Sequence, residues 1–101
     1  MNKTPARSRL RVHPGEIIKH EFLEPAGMSA RALAAELGIA ANRLTEIIAG
    51  RRGVTADTAI RLAKYWNTSV ELWLNLQANH DIAVAEQQHD YSAVKRRRAA
   101  A

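Results

Sequence analysis

Cysteine is absent from the 101 residues, which excludes disulfides and thiolate metal sites and agrees with a cytoplasmic protein. No apolar run approaches the ~20 residues that span a bilayer, and the basic start lacks the apolar centre of a signal peptide. The expectation is a soluble, cytoplasmic chain with no membrane partner. A glycine-rich phosphate loop and a metal-binding HExxH pattern are missing as well. The histidines, His13, His20, His80 and His89, are scattered. His20 beside Glu21 is adjacency only, since neighbours in a helix diverge by about 100°. A hydrolase needs a nucleophile with a positioned base, and no spacing here supplies that pair. The chain therefore reads as a non-enzyme, without cofactor or metal.

Positive charge is plentiful but unevenly placed. Of 15 Lys and Arg residues, Lys3, Arg7, Arg9 and Arg11 lie in the first segment and Lys95, Arg96, Arg97 and Arg98 in the last, so the formal charge of +5 belongs to the tails. Between them carboxylates outnumber cations. Residues 29–64 are locally basic, with Arg31, Arg43, Arg51, Arg52, Arg61 and Lys64 against Glu36, Glu46 and Asp57. Residues 69–94 carry Glu71, Asp81, Glu86 and Asp90 with no Lys or Arg. One region suits phosphate; another suits a basic protein.

The most informative stretch is residues 29–48, SARALAAELGIAANRLTEII. Ser29 suits the cap of a first helix, with Met28 and Leu33 placed to close a hydrophobic staple. Gly38 falls where that helix needs a left-handed exit, which glycine adopts without a Cβ penalty. Leu33 and Leu37 lie one turn apart, and Leu44, Ile47 and Ile48 repeat the spacing on a second helix. A turn this short forces a steep crossing, with Ala34 small where the helices touch. Together these features spell a helix-turn-helix.

The start of the second helix exposes Ala40, Ala41, Asn42, Arg43, Thr45 and Glu46, the end that enters a major groove in such motifs. Asn pairs bidentately with adenine and Arg with guanine, Glu accepts from cytosine, and Ala or the Thr methyl touches the thymine methyl. These six are the candidate base contacts. Arg51 and Arg52, directly after the helix, and Arg31, near the start of the first, are candidate phosphate contacts.

Around the motif, residues 1–12 read as a basic mobile arm and residues 13–90 as one domain. HPGEIIKHEFLEP predicts a helix with Pro14 in its first turn, an inward stripe of Ile17, Ile18, Phe22 and Leu23, and a stop at Pro25 and Gly27. Thr55 caps a further helix whose apolar positions are Ala59, Ile60, Leu62, Ala63 and Trp66, with Asn67 as its left-handed exit. Thr68 to Glu71 spells a capping box for a longer helix through Gln88, within the segment 69–90. There Trp73, Leu76, His80 and Ala83 recur near a period of 3.5 and form a candidate dimerisation stripe. Residues 91–101 read as a basic tail.

HPGEIIKHEFLEPAGMS, ALAAELGIAANRLTEIIAGRRGVTADTAIRLAKYW and SVELWLNLQANHDIAVAE resemble the HigA-type (VapI-like) antitoxins, a branch of the Cro/C1-like (Xre) helix-turn-helix proteins. The likeness runs from His13 to Glu86. Ala30 stands where the broader family often has a phosphate-binding Gln, and Arg31 beside it is a candidate replacement. The resemblance implies an all-α, five-helix, lambda-repressor-like domain with a longer C-terminal helix. It also implies a homodimer on a palindromic operator of double-stranded DNA in its own promoter, and neutralisation of a HigB toxin, a ribosome-dependent messenger-RNA endonuclease of the RelE type. Glu16, Glu21 and Glu24, or the last helix, offer docking faces for such a basic partner. A stand-alone regulator without a toxin, and an interaction module that no longer reads DNA, share the same pattern.

Overall fold

The computed structural model describes residues 12–98; the expected arm, apart from Val12, and the last three residues of the tail lie outside them. Five helical segments follow one another, and no strand occurs among the described residues. The first, α1, runs without a break through Pro14–Ile17, a π-helical stretch Ile18–Leu23, and Glu24–Ala26. Next come α2 (Ala30–Leu37), α3 (Ala41–Ile48), α4 (Ala56–Trp66) and α5 (Val70–Gln88).

The starts of α2, α4 and α5 are set by short polar side chains, whereas α3 follows Ala40 without a side-chain cap. Ser29 Oγ accepts from the Ala32 N–H at 3.0 Å, and Thr55 Oγ1 from the Thr58 N–H at 3.5 Å. At α5 the cap lies one residue later than the expected Thr68: Ser69 Oγ accepts from the Leu72 N–H at 3.0 Å. Thr68 is occupied elsewhere, because its hydroxyl accepts the indole N–H of Trp73 at 2.8 Å. His13 caps α1 through Nδ1, which accepts the Gly15 N–H at 2.9 Å. Gly38 at φ 73° and Asn67 at φ 55° close α2 and α4 in the left-handed conformation, as their positions predict.

Pro25 does not stop α1, which ends at Ala26. A proline ring presses on the carbonyl four residues back. Here the helix has already widened, with the Glu24 N–H reaching the Lys19 carbonyl five residues back, so the ring is accommodated.

The core joins Ile18 and Leu23 of α1, Leu33, Ala34 and Leu37 of α2, Leu44 and Ile47 of α3, Ala59, Leu62 and Ala63 of α4, and Trp73 of α5. Phe22 stacks on Trp66 with centroids 4.2 Å apart and tilts against Trp73 at 5.4 Å. Ile60, expected inside, is 53% exposed.

This packing takes up part of the expected dimerisation stripe within the subunit. Trp73 is fully buried and Ala83 nearly so, while Leu76 packs against the core and the half-buried His80 ring meets His13 at 4.9 Å. Trp73 and Ala83 thus face their own subunit, while Leu76 and His80 stay partly exposed. A 3.5-residue repeat describes a helix's inner face as well as an interface. The large apolar side chains that α5 leaves exposed are Leu72 and Ile82.

Two contacts set α1 against its neighbours, α3 and α5. Gly15 lies so close to the Ile47 carbonyl at the end of α3 that an added Cβ would collide with backbone. Gly15→Ala is therefore expected to destabilise the protein by about 2 to 3 kcal/mol, or to displace α3, because no flexible side chain is there to yield. Urea unfolding measures the first outcome, and amide shift changes along α3 the second.

The second contact is His13, whose pKa is lowered chiefly by burial and next by the neighbouring His80 charge, against weaker opposing effects of Asp81, the Arg52 backbone and Glu16. The unfolded chain then takes up the proton first, so this contribution to stability is complete above the ordinary histidine value of 6.5 and declines as pH falls through it. The urea midpoint should drop between about pH 7.5 and pH 5, and drop less in His13→Asn, which keeps a capping oxygen but does not titrate.

Candidate nucleic-acid interface

The reach of α3 follows from its anchoring. Leu44 and Ile47 are fully buried, so the remaining face of an eight-residue helix turns outward. Asn42 and Thr45 are exposed on it, the Thr45 hydroxyl donating back to the Asn42 carbonyl at 3.3 Å. Ala40 is exposed just ahead of the helix, whereas Ala41 is half-buried against the core.

Two of the predicted base contacts are held by partners within the chain. Glu46 Oε1 pairs with Arg52 Nη2 at 2.8 Å, so a candidate phosphate contact is tied to a candidate base contact. Arg43 turns back toward α4, its Nη1 donating to Asp57 Oδ2 at 2.7 Å and lying 3.4 Å from Thr58 Oγ1. The same Asp57 oxygen accepts from Arg61 Nε at 3.0 Å, and Arg61 Nη1 donates to the Leu37 carbonyl at 2.8 Å. Hydrogen bonds from Arg43 first and Arg61 second hold the Asp57 carboxyl below its ordinary range. One carboxylate on α4 therefore braces the end of α2 and the start of α3 across the Gly38 turn.

Arg51 and Arg52 are exposed in the loop after α3, and Arg31 is exposed in the first turn of α2. The loop is pinned from α5. Gln77 Oε1 accepts the Val54 N–H at 2.8 Å, while Gln77 Nε2 donates to Asp81 Oδ1 at 2.9 Å. An added Cβ at Gly53 would lie 3.1 Å from that amide, so the loop passes closely over it. Arg43, Arg52, Gly53, Thr55, Asp57 and Thr58 line an open groove of about 380 Å³ beside the polar ridge.

Asp57, Arg61 and Gln77 are the site residues that the sequence pattern misses. Asp57 and Arg61 stand four apart on one helix, a readable pair, but the Arg43 partnership spans 14 positions and leaves no local trace. Nothing near Gln77 marks it as more than a polar position on a helix.

Two helices meeting at a glycine corner, the second presenting a short polar ridge beside a basic loop, define a helix-turn-helix protein. A helix-turn-helix family model matches residues 20–73. Virulence-associated protein I of Dichelobacter nodosus is 45% identical over 85% of this chain and 75% of its own length. A HigA-family addiction module antidote protein from Coxiella burnetii superposes with a TM-score of 0.74 at 49% identity, covering 77% of this chain and 85% of that one. Antitoxin GraA, solved in complex with its operator, gives a TM-score of 0.81 at 45% identity over 87% of this chain and 92% of its own. The chain belongs to the Cro/C1-type (Xre) helix-turn-helix family, in its HigA-type branch. The relatives are named as an antitoxin, an antidote and a virulence-associated protein, not as enzymes.

The Gln77 clamp yields a direct test. Gln77→Ala leaves the Val54 N–H without its partner and should cost about 1 to 2 kcal/mol. Native-state hydrogen exchange at Val54 should speed up more than at amides within α4. Equal acceleration everywhere would mean that the clamp is not local.

Proposed function

We propose that this protein is a sequence-specific DNA-binding antitoxin that represses its own toxin-antitoxin operon and sequesters the toxin. The observation that carries the reading is the outward ridge of Asn42 and Thr45 on a helix whose opposite face is locked by Leu44 and Ile47, in a fold shared with an operator-bound antitoxin. A major groove about 12 Å wide admits such a helix. Asn42 supplies a bidentate donor and acceptor for adenine, and the methyl groups of Ala40 and Thr45 suit thymine. Arg51, Arg52 and Arg31 carry the charge that phosphates need, with Arg52 also steadying Glu46.

Two copies on a palindrome would set half-sites about 34 Å apart, or a multiple of that. With Trp73 and Ala83 inside the subunit, Leu72 and Ile82 are the exposed apolar side chains that α5 has left for a homodimer contact. The toxin side of the reading rests on family membership and on charge. Glu16, Glu21 and Glu24 are exposed on α1, and α5 carries Glu71, Asp81 and Glu86 without a cation, so both elements suit a basic HigB-type messenger-RNA endonuclease.

Asn42→Ala is expected to relax base preference and cost ~1 to 3 kcal/mol on operator DNA while leaving random duplex almost unchanged. Anisotropy titrations on both duplexes measure this, and identical behaviour of parent and variant rejects the groove assignment. Footprinting that shows no protected palindrome at moderate salt favours an interaction module. Protection without inhibition of any co-encoded basic endonuclease favours a stand-alone regulator.

A further inference from the structure

Arg43 has the chemistry to read guanine and sits in the first turn of α3, yet its guanidinium is turned back within the chain and bonded there through Nη1. Its Nη1 lies 2.7 Å from Asp57 Oδ2 and 3.4 Å from Thr58 Oγ1, and the side chain is only 32% exposed. Asp57 is held from a second side. The same oxygen accepts from Arg61, and Arg61 is fixed in turn on the Leu37 carbonyl. The geometry points to Asp57 as a specificity-determining positioning residue: by holding Arg43 against α4 it keeps a long cation off the duplex and leaves base reading to Asn42 and Thr45.

The physical reason for such a restraint is the difference between the two kinds of contact. An arginine near the ridge finds phosphate on every duplex, so releasing it raises affinity for all sequences and narrows the gap between operator and random DNA. A short asparagine reaches a base edge only when the helix sits at the correct depth. Tying Arg43 down favours the second kind of contact over the first. The restraint is electrostatically sound, since a carboxylate shared by two guanidiniums is held by both and the arginine need not leave its partner to satisfy it.

This inference rests on the DNA-binding reading, and the test separates the two. The parent, Asp57→Asn, and the double variant Asp57→Asn with Arg43→Ala are titrated against operator and random duplexes over a range of salt. Parent binding to the operator establishes the DNA reading by itself. Asp57→Asn is then expected to bind random duplex about threefold or more tightly, with a salt slope steeper by about one and a smaller operator-to-random ratio. Adding Arg43→Ala should remove that gain. If the gain survives without Arg43, it comes from losing a negative charge near DNA, and the proposal fails. An unchanged ratio in Asp57→Asn also overturns it. Asp57→Glu, which keeps the charge, is expected to retain the parent ratio.

The Arg61 bond to Leu37 remains in these variants and should keep the turn folded. Side-chain nitrogen NMR of the parent gives a reading that needs no variant. The Arg43 guanidinium resonances should stay near their free positions when operator is added, and a large shift of Arg43 alone overturns the assignment.

Discussion

The approach of Gly15 to the Ile47 carbonyl is the constraint from which the rest of the arrangement follows. At that point two backbones meet without an intervening side chain, so the spacing of α1 and the end of α3 is set by direct backbone contact rather than by the choice of side chains. Ile18, three residues later, then reaches the same core as Leu44 and Ile47. The far end of α3 is held differently, by the Arg43–Asp57–Arg61 chain that ends on the Leu37 carbonyl. The outward ridge is therefore defined from both ends and from beneath.

What the sequence made legible were features whose causes are local. Ser29, Thr55, Gly38 and Asn67 act on the backbone within a few residues, and each stands where its chemistry requires. Thr68 and Ser69 show the limit of that logic. Both hydroxyls suit a cap, and the choice between them is made by an indole five residues on that needs an acceptor. His13 is a similar case, a cap by an imidazole, which the usual preference for serine, threonine, aspartate and asparagine does not suggest.

Contacts between distant segments were not legible, and the reason differs in each instance. The period of Trp73, Leu76, His80 and Ala83 is readable, but a period does not state what lies against it: Phe22 and Trp66 pack on Trp73, and His13 meets His80. The Gly15 contact depends on a carbonyl 32 positions away, and a glycine after proline at a helix start has local explanations that hide it. Arg43 lies in the first turn of α3, but its length allows two destinations, and the structure shows it bonded to Asp57. Residue type identified its chemistry; only the position of Asp57 decides where it is used.

Stability does not account for the Arg43–Asp57–Arg61 chain. Asp57 is 57% exposed at its side chain, and exposed ion pairs contribute little once the entropy of holding long side chains is counted. The apolar core already joins α2, α3 and α4 through Leu33, Leu37, Leu44 and Leu62, each of which outweighs such a pair on burial alone. Immobilising two arginines for so small a return makes sense when orientation matters. A core of aliphatic side chains fixes the depth and crossing of helices but is indifferent to where a long cation at the rim points. Directional hydrogen bonds to one carboxylate oxygen supply that missing information, and they supply it at the turn, where a few degrees of rotation decide which side chains stand highest on the ridge.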